Sequence, residues 1–244
     1  MGFFDKLKKI VSKDKEVFKD KKEKDLYDKG FEKTRKGLSD KLNNLNKKYI
    51  FWLPTFRTAK ENLAQLNEQQ IISETGLPIV YSRSALKMLD KLLEFHNIGL
   101  IIKMHPFQDR RVVHCDGLKN IVLLENHQLI KADIQINQLL GWADALISDY
   151  SSVAVDYLLL NRPIAFTLDD VEEYELSRGF VFENIRDWLP GVEIYHQKDL
   201  MEFVEAIANG VDSSLKKRNR IRNKMYQYFD DKSCYRILDK LNID

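Results

Sequence analysis

Apolar runs typical of buried strands alternate with helix-like segments over most of the chain after residue 48. The runs lack the alternating pattern of a half-exposed strand, whereas the segments between them place leucines at spacings of three and four. The predicted strands are 49–53, 98–104, 120–125, 145–148 and 162–168, and the predicted helices are 84–97, 133–144, 152–160 and two more after residue 197. Such alternation is typical of a parallel sheet covered by helices on both faces. The sequence therefore predicts an α/β domain over residues 49–244.

The first 48 residues differ from the rest in charge. They contain 16 basic and 9 acidic residues, a net charge of +7, whereas the remainder contains 23 basic and 28 acidic residues, a net charge of −5. We therefore predict a boundary near Lys48, with a basic helical segment and linker before it. The interleaved acidic residues argue against nucleic-acid binding by this segment.

Residues 1–13 have the pattern of a short amphipathic helix. Apolar residues share one side, most lysines lie off it, and the apolar positions are Phe3, Phe4, Leu7, Ile10 and Val11. Such a helix is expected to lie on an anionic membrane surface, although docking on the chain's own domain is the alternative. No secretory signal or membrane-spanning run is expected, and the two cysteines, Cys115 and Cys234, lack metal-ligand spacing and suggest a reducing compartment. These features predict a cytoplasmic protein at the inner face of the plasma membrane.

Polar side chains follow three of the predicted strands, and ligands of parallel sheets bind at the carboxyl ends of the strands. These residues are Thr55, Arg57, Lys103, His105, Ser148, Asp149, Ser151 and Ser152. The two serines open a predicted helix, where an anion site and a simple helix cap are equally good interpretations. Arg57 is suited equally to a phosphate clamp and to a structural ion pair. The acidic run 169–174 is interpreted as a solvated helix start and not as a metal site.

Four segments resemble one protein family in the family's own motif order. They are "FWLPTFR", "IKMHP", "ADALISDYSSVAVDYLLLNRPIAF" and "RGFVFENIRDWLPGVEI", within roughly residues 48–240. They are similar to the carboxy-terminal half of CDP-glycerol glycerophosphotransferases of teichoic-acid synthesis. The resemblance implies a Rossmann-like sheet forming the donor-binding half of a type B glycosyltransferase fold. It also implies transfer of glycerol phosphate from CDP-glycerol to a hydroxyl of a membrane-anchored, lipid-linked polymer, with release of CMP and no metal or cofactor.

The resemblance also implies roles for individual residues. His105 matches the histidine of a K-x-H-P motif and would be catalytic, stabilising charge on the transferring phosphoryl group. The serines of the S-D-Y-S-S motif would bind the donor diphosphate. The full set of substrate-binding residues on motif positions is Ser151, Ser152, Asp149, Lys103, Arg57, Thr55 and Asp156.

The chain departs from the family in one respect. The family's other half carries an H-G-T-P motif whose histidine is the proposed base for the acceptor hydroxyl, and no H-G-T sequence occurs here. A non-catalytic CDP-glycerol-binding remnant or fusion, and a nucleotide-sugar glycosyltransferase domain, are therefore kept as alternatives. Residues 1–45 also resemble the amino terminus of the bacterial signal-recognition-particle receptor. The chain has no P-loop sequence, so this second resemblance implies membrane association and not GTP hydrolysis.

Overall fold

The structure, a computed structural model, describes residues 47–55, 73–103, 115, 117–132, 135–230 and 232–241. Within these residues six strands form a single sheet in which every neighbouring pair is parallel. The strands are β1 (Lys48–Trp52), β2 (Ile98–Lys103), β3 (Ile121–Leu124), β4 (Ala145–Ser148), β5 (Ile164–Thr167) and β6 (Val192–Ile194). The predicted α/β fold with a parallel sheet is confirmed.

Helices connect the strands and follow the last of them. They are α1 (Arg83–Phe95), α2 (Asn126–Ala132), α3 (Ile136–Leu140), α4 (Val153–Leu158), α5 (Val171–Ser177), α6 (Gln197–Asn209), α7 (Leu215–Met225) and α8 (Ser233–Leu241). A short 3-10 helix, Ile185–Trp188, lies between α5 and β6. None of the helices within the described residues is both long and apolar enough to cross a membrane.

The strand order is β3-β2-β1-β4-β5-β6. The chain builds outward from β1 to β3, then returns to place β4 on the other side of β1. In the register, Trp52 at the end of β1 lies beside Ile147 of β4. The next described helices after β1 and β4, α1 and α4, pack on opposite faces of the sheet, and a crevice is expected where the connections diverge in this way. This switch point is where a ligand site is expected.

Apolar side chains cover both faces of the sheet. On one face, Ile50 and Trp52 of β1 pack in a cluster with Leu89 of α1 and Phe203 of α6. On the other face, Phe51 packs in a cluster that includes residues of α3, α4 and α7. Burial on both sides explains why the strands are continuous apolar runs in the sequence.

Several elements of the structure differ from the sequence prediction. The helix predicted over 133–144 is shorter, since α3 covers only Ile136–Leu140, and α2 is a separate helix that was not predicted. The strand β6 was also missed, because it has three residues with Glu193 in the middle and therefore no apolar run. The predictions for residues 1–46, including the membrane helix over 1–13, lie outside the described residues.

Candidate functional site

A cavity of about 270 Å³ opens at the carboxyl edge of the sheet. One wall is the loop between β4 and α4, which contributes Asp149, Tyr150, Ser151 and Ser152. Another wall comes from residues 179–190, which we call the 179–190 segment. The cavity therefore brings together the S-D-Y-S-S motif and the R-G-F to L-P-G motif, which lie some thirty residues apart in the chain.

The two serines of the loop are available to a ligand. Ser152 is exposed and Ser151 is half-buried, and α4 begins at the next residue, Val153. The side chain of Ser152 makes no capping hydrogen bond, and Ser151 Oγ accepts one from the Val153 N–H at a long 3.5 Å. The two hydroxyls therefore contribute little to capping α4, and both residues line the cavity.

Asp149 and Thr55, two predicted site residues, are bonded to each other. The Thr55 backbone N–H donates to Asp149 Oδ2 at 2.7 Å, and the Thr55 hydroxyl donates to the same oxygen at 2.9 Å. Asp149 is only 1% exposed and lies at the floor of the cavity. The bonds join the loops that follow β1 and β4 at the switch point.

Aromatic side chains form much of the cavity wall. Tyr150 and Tyr174 lie with their ring centroids 4.1 Å apart, and Phe180 stacks on Tyr174 at 5.4 Å. Trp188 and its stacked neighbour Phe182 are 4.2 Å apart. None of these residues was predicted to belong to the site. The R-G-F and L-P-G motifs were the only signal that pointed to this region.

The acidic residues at the start of α5 are engaged by the protein. Asp169 Oδ2 accepts hydrogen bonds from the Tyr81 hydroxyl and from the Ile79 N–H at 3.2 Å, and Asp170 accepts one from the Tyr150 hydroxyl at 2.9 Å. Burial, reinforced by the bond to Asp169, raises the pKa of Tyr81 well above its usual value. In the described part of the chain, no cluster of three or more His, Cys, Asp or Glu side chains could hold a metal ion.

Other predicted site residues lie away from the cavity or outside the described residues. Lys103 ends β2, two strands from β4, so it lies roughly 10 Å from that strand. Burial lowers the pKa of its amine. Asp156 is exposed, lies outside the cavity lining and adds to the effect of burial in raising the pKa of Tyr226. His105 and Arg57 lie outside the described residues.

Comparison with known proteins places this site in a family. A family model described as CDP-Glycerol:Poly(glycerophosphate) glycerophosphotransferase matches residues 23–242. The chain belongs to this family. The resemblance inferred from the four motif segments is therefore confirmed. The match begins upstream of the boundary predicted near Lys48.

Curated relatives of this glycerophosphotransferase-family chain act in teichoic-acid synthesis. The chain is 26% identical to the teichoic acid ribitol-phosphate polymerase TarK of Staphylococcus aureus, over 80% of this chain and 34% of the relative. It is 29% identical to the teichoic acid glycerol-phosphate primase of Bacillus subtilis, over 75% of this chain and 42% of the relative. The chain thus spans well under half the length of these two relatives.

Solved structures of a related polymerase share the fold. The wall teichoic acid polymerase TagF superposes with a TM-score of 0.54 and 24% identity, over 84% of this chain and 46% of the polymerase. A variant of that polymerase soaked with CDPG superposes with a TM-score of 0.56 and 19% identity, over 97% of this chain and 48% of the polymerase. At these identities the likeness shows a shared fold.

Proposed function

We propose that this chain binds CDP-glycerol in the cavity between the β4–α4 loop and the 179–190 segment. It would then supply the donor side of glycerol phosphate transfer to a hydroxyl of a teichoic-acid-type polymer, with CMP as the leaving group. The observation that carries the proposal is that one cavity at the carboxyl edge of the sheet is lined by residues of both family motifs. The soak of the related polymerase with CDPG also supports it.

The walls of the cavity suit the two ends of a nucleotide diphosphate. The hydroxyls of Ser151 and Ser152 can donate hydrogen bonds to phosphate oxygens, and a bond to a charged acceptor contributes about 1.5–3 kcal/mol. The rings of Tyr150, Tyr174 and Phe180 form an aromatic wall against which a base can stack, and stacking of this kind contributes about 1–3 kcal/mol. A cytidine diphosphate ester has both a flat ring and a charged diphosphate.

The motif assignment adds a catalytic role for His105. In the proposed reaction the acceptor oxygen forms a bond to the phosphorus that carries glycerol, and the bond from that phosphorus to the CMP oxygen breaks. A donor at the diphosphate stabilises the charge that develops on the transferring group and on CMP. His105 follows β2 by two residues, and β2 ends at the same edge of the sheet as β4. Arg57 follows β1 and would add positive charge to the diphosphate site, and Lys103, at the end of β2, would act on it from a greater distance.

Isothermal titration with CDP-glycerol and with CDP tests donor binding. Replacing both serines, Ser151→Ala with Ser152→Ala, should weaken binding roughly 100-fold, because two hydrogen bonds to charged oxygens are lost. The matched control is Ser213→Ala with Ser214→Ala, an adjacent serine pair that also precedes a helix, α7, and lies outside the cavity lining. The control pair should bind the donor as the wild type does. Absence of binding at millimolar CDP-glycerol by the wild type would refute the proposal.

A membrane partner and a cytoplasmic, peripheral location are proposed from residues 1–13. Their apolar stripe and lysines suit an anionic bilayer surface, which also carries the lipid-linked acceptor. Flotation with anionic liposomes, with and without residues 1–20, measures this. Loss of flotation in the shortened chain is expected, and equal flotation contradicts the membrane role. The same experiment tests whether residues 1–48 and 49–244 act as separate units.

A donor-binding role without turnover is the second candidate. It is favoured by the absence of an H-G-T sequence from residues 1–244. A radiolabelled transfer assay with an acceptor lipid separates the two candidates, since CMP release by this chain alone excludes the non-catalytic one. The third alternative, a nucleotide-sugar glycosyltransferase, requires that a sugar nucleotide bind more tightly than CDP-glycerol in the same titration.

A further inference from the structure

We infer that Asp149 is a positioning residue, which acts on the donor through Thr55 and not by touching it. Its carboxylate holds the loop after β1 against the loop after β4, and this sets the spacing of the groups on the two sides of the crevice. We call this pair the Thr55–Asp149 latch. The inference rests on the proposed function, because the groups it positions are those assigned to the donor.

The latch takes over where the main-chain pairing of β1 with β4 ends. The ladder pairs Trp52 with Ile147 and continues for one more bond, from the Leu53 N–H to the Ile147 carbonyl oxygen at 2.9 Å. Alternate residues of a strand face alternate neighbouring strands, so the next N–H of β1 on the side of β4 is that of Thr55. It donates to the Asp149 side chain and not to a main-chain oxygen of β4.

Asp149 replaces the lost main-chain acceptor with a side-chain acceptor. Its Oδ2 receives both the N–H and the hydroxyl of Thr55, at 2.7 Å and 2.9 Å. Hydrogen bonds to an ionised carboxylate are about twice as strong as neutral ones. Two donors from one residue also fix the orientation of the Thr55 backbone, which a single bond would leave free to rotate.

Charge argues against direct contact between Asp149 and a diphosphate. Both groups are anions, and a carboxylate beside a phosphate raises the energy of the bound state. Asp149 is 1% exposed, and its Oδ2 is already engaged by two donors of Thr55. A positioning role explains an acidic residue at the floor of an anion site, whereas a binding role does not.

The latch connects two short segments that carry predicted ligand groups. Arg57 lies two residues after Thr55, and Ser151 lies two residues after Asp149. A change in the separation of the two loops would move both sets of groups relative to the donor. Misplacement of catalytic groups by about 1 Å can lower a rate by roughly 100-fold.

A set of matched variants tests the latch by isothermal titration with CDP-glycerol. Asp149→Ala removes the acceptor and should weaken binding roughly tenfold, and Thr55→Val removes one of the two bonds and should weaken it by about threefold. Asp149→Asn retains an acceptor oxygen without the charge, so it should weaken binding less than Asp149→Ala, and Thr55→Ser retains both donors and should weaken binding least. The double variant Asp149→Ala with Thr55→Val should bind no worse than Asp149→Ala alone, because both changes break the same contact.

Thr167→Val is the structural control. The buried Thr167 hydroxyl donates to the Ser148 carbonyl oxygen at 3.2 Å, next to Asp149 but toward β5. Its loss should lower stability as much as Thr55→Val does and leave donor affinity unchanged. If Thr167→Val weakens binding as much as Thr55→Val, the effect is structural and the positioning role is wrong. Additive losses in the double variant would instead assign Asp149 to direct donor contact and overturn the inference.

Amide hydrogen exchange reports the latch without any donor. Peptides covering residue 55 and residues 149–152 should exchange faster in Asp149→Ala, and by a smaller factor in Asp149→Asn, which keeps an acceptor oxygen without the charge. Unchanged exchange at residue 55 in Asp149→Ala would overturn the latch even if the wild type binds CDP-glycerol. Failure of the wild type to bind CDP-glycerol refutes the proposed function and, with it, the donor role of Asp149. The exchange result still decides in that case whether the two loops are held together.

Discussion

Gly191 offers a sharp test of how the cavity wall is built. It is the glycine of the L-P-G motif and precedes β6, and its neighbours Leu189 and Pro190 line the cavity. A Cβ atom added at this position would lie 2.1 Å from the carbonyl oxygen of Ile164 in β5 and 2.6 Å from the carbonyl carbon. These are main-chain atoms, so rotation of a side chain cannot relieve the clash. We therefore expect Gly191→Ala to force β5 and the residues before β6 apart by more than about 1 Å.

The expected cost follows from the contacts that this movement disturbs. The register pairs Ala165 with Val192, directly after Gly191, and Thr167 with Ile194. Loss of two backbone hydrogen bonds at about 1 kcal/mol each, with about 1–3 kcal/mol of overpacking, gives a loss of roughly 4 kcal/mol. For a chain of this size, each kcal/mol lowers Tm by about 2–4 °C, so a decrease of about 10 °C is expected.

Gly210→Ala is the matched control for this measurement. Gly210 ends α6 at a φ of +69°, and no neighbouring heavy atom lies within 4 Å of an added Cβ. Its cost is therefore the left-handed backbone alone, about 1–2 kcal/mol. Urea denaturation followed by tryptophan fluorescence gives both free energies of unfolding. If Gly191→Ala costs no more than Gly210→Ala, the close packing of the L-P-G segment on β5 is not the reason for this glycine.

Two further substitutions test the electrostatics at the carboxyl edge. Burial and the bond to Asp169 raise the pKa of Tyr81 in the folded protein. The Tyr81 hydroxyl therefore contributes fully to the free energy of unfolding below its unfolded pKa of about 10, and this contribution is lost as the pH rises through the higher folded-state pKa. Tyr81→Phe should therefore lower the free energy of unfolding at pH 8 by about 1–3 kcal/mol and make its decline above pH 10 shallower, and an unchanged decline in urea denaturation would contradict this. The pKa of Lys103 is lowered by burial, so its protonation opposes folding at neutral pH and stability rises as the pH approaches the ordinary value of 10.5. Lys103→Met should raise Tm more at pH 7 than at pH 10; a lower Tm at pH 7 would refute the burial argument.

Much of the fold could be predicted because burial on both faces leaves a strong pattern in the sequence. The predicted strand 49–53 corresponds to β1 at Lys48–Trp52, and the predicted strand 145–148 matches β4. The strand β6 left no such pattern, since Glu193 accepts hydrogen bonds from Tyr195 and Lys217 at the edge of the sheet. A short strand with a charged centre is indistinguishable from a loop until its neighbour is known.

The candidate site was predictable only as far as topology determines it. Parallel strands bring their following loops to one edge, so Thr55 and Asp149 could be placed at the same edge from the sequence. The bond between them could not, because it depends on the register of β1 against β4 and joins residues 94 positions apart. The aromatic wall was missed for the same reason. Tyr150, Tyr174 and Phe180 come from three separate segments and meet only in the folded chain.

The groups around the cavity suit the proposed donor binding, whereas none of the described lining groups suits activation of an acceptor hydroxyl. Removal of a proton from an acceptor hydroxyl requires a base within hydrogen-bond reach of that hydroxyl. Among the described residues lining the cavity, Asp149 is the one ionisable carboxylate, and its Oδ2 accepts two bonds from Thr55 at the floor. Of the described histidines, His96 follows α1, His127 pairs with Glu125 and His196 precedes α6, and all three lie outside the lining. The cavity thus provides hydroxyls and rings for a nucleotide, whereas the base for the acceptor must come from groups other than these. We therefore expect this part of the chain to bind the donor by itself. Turnover should in addition require a base for the acceptor hydroxyl from other groups.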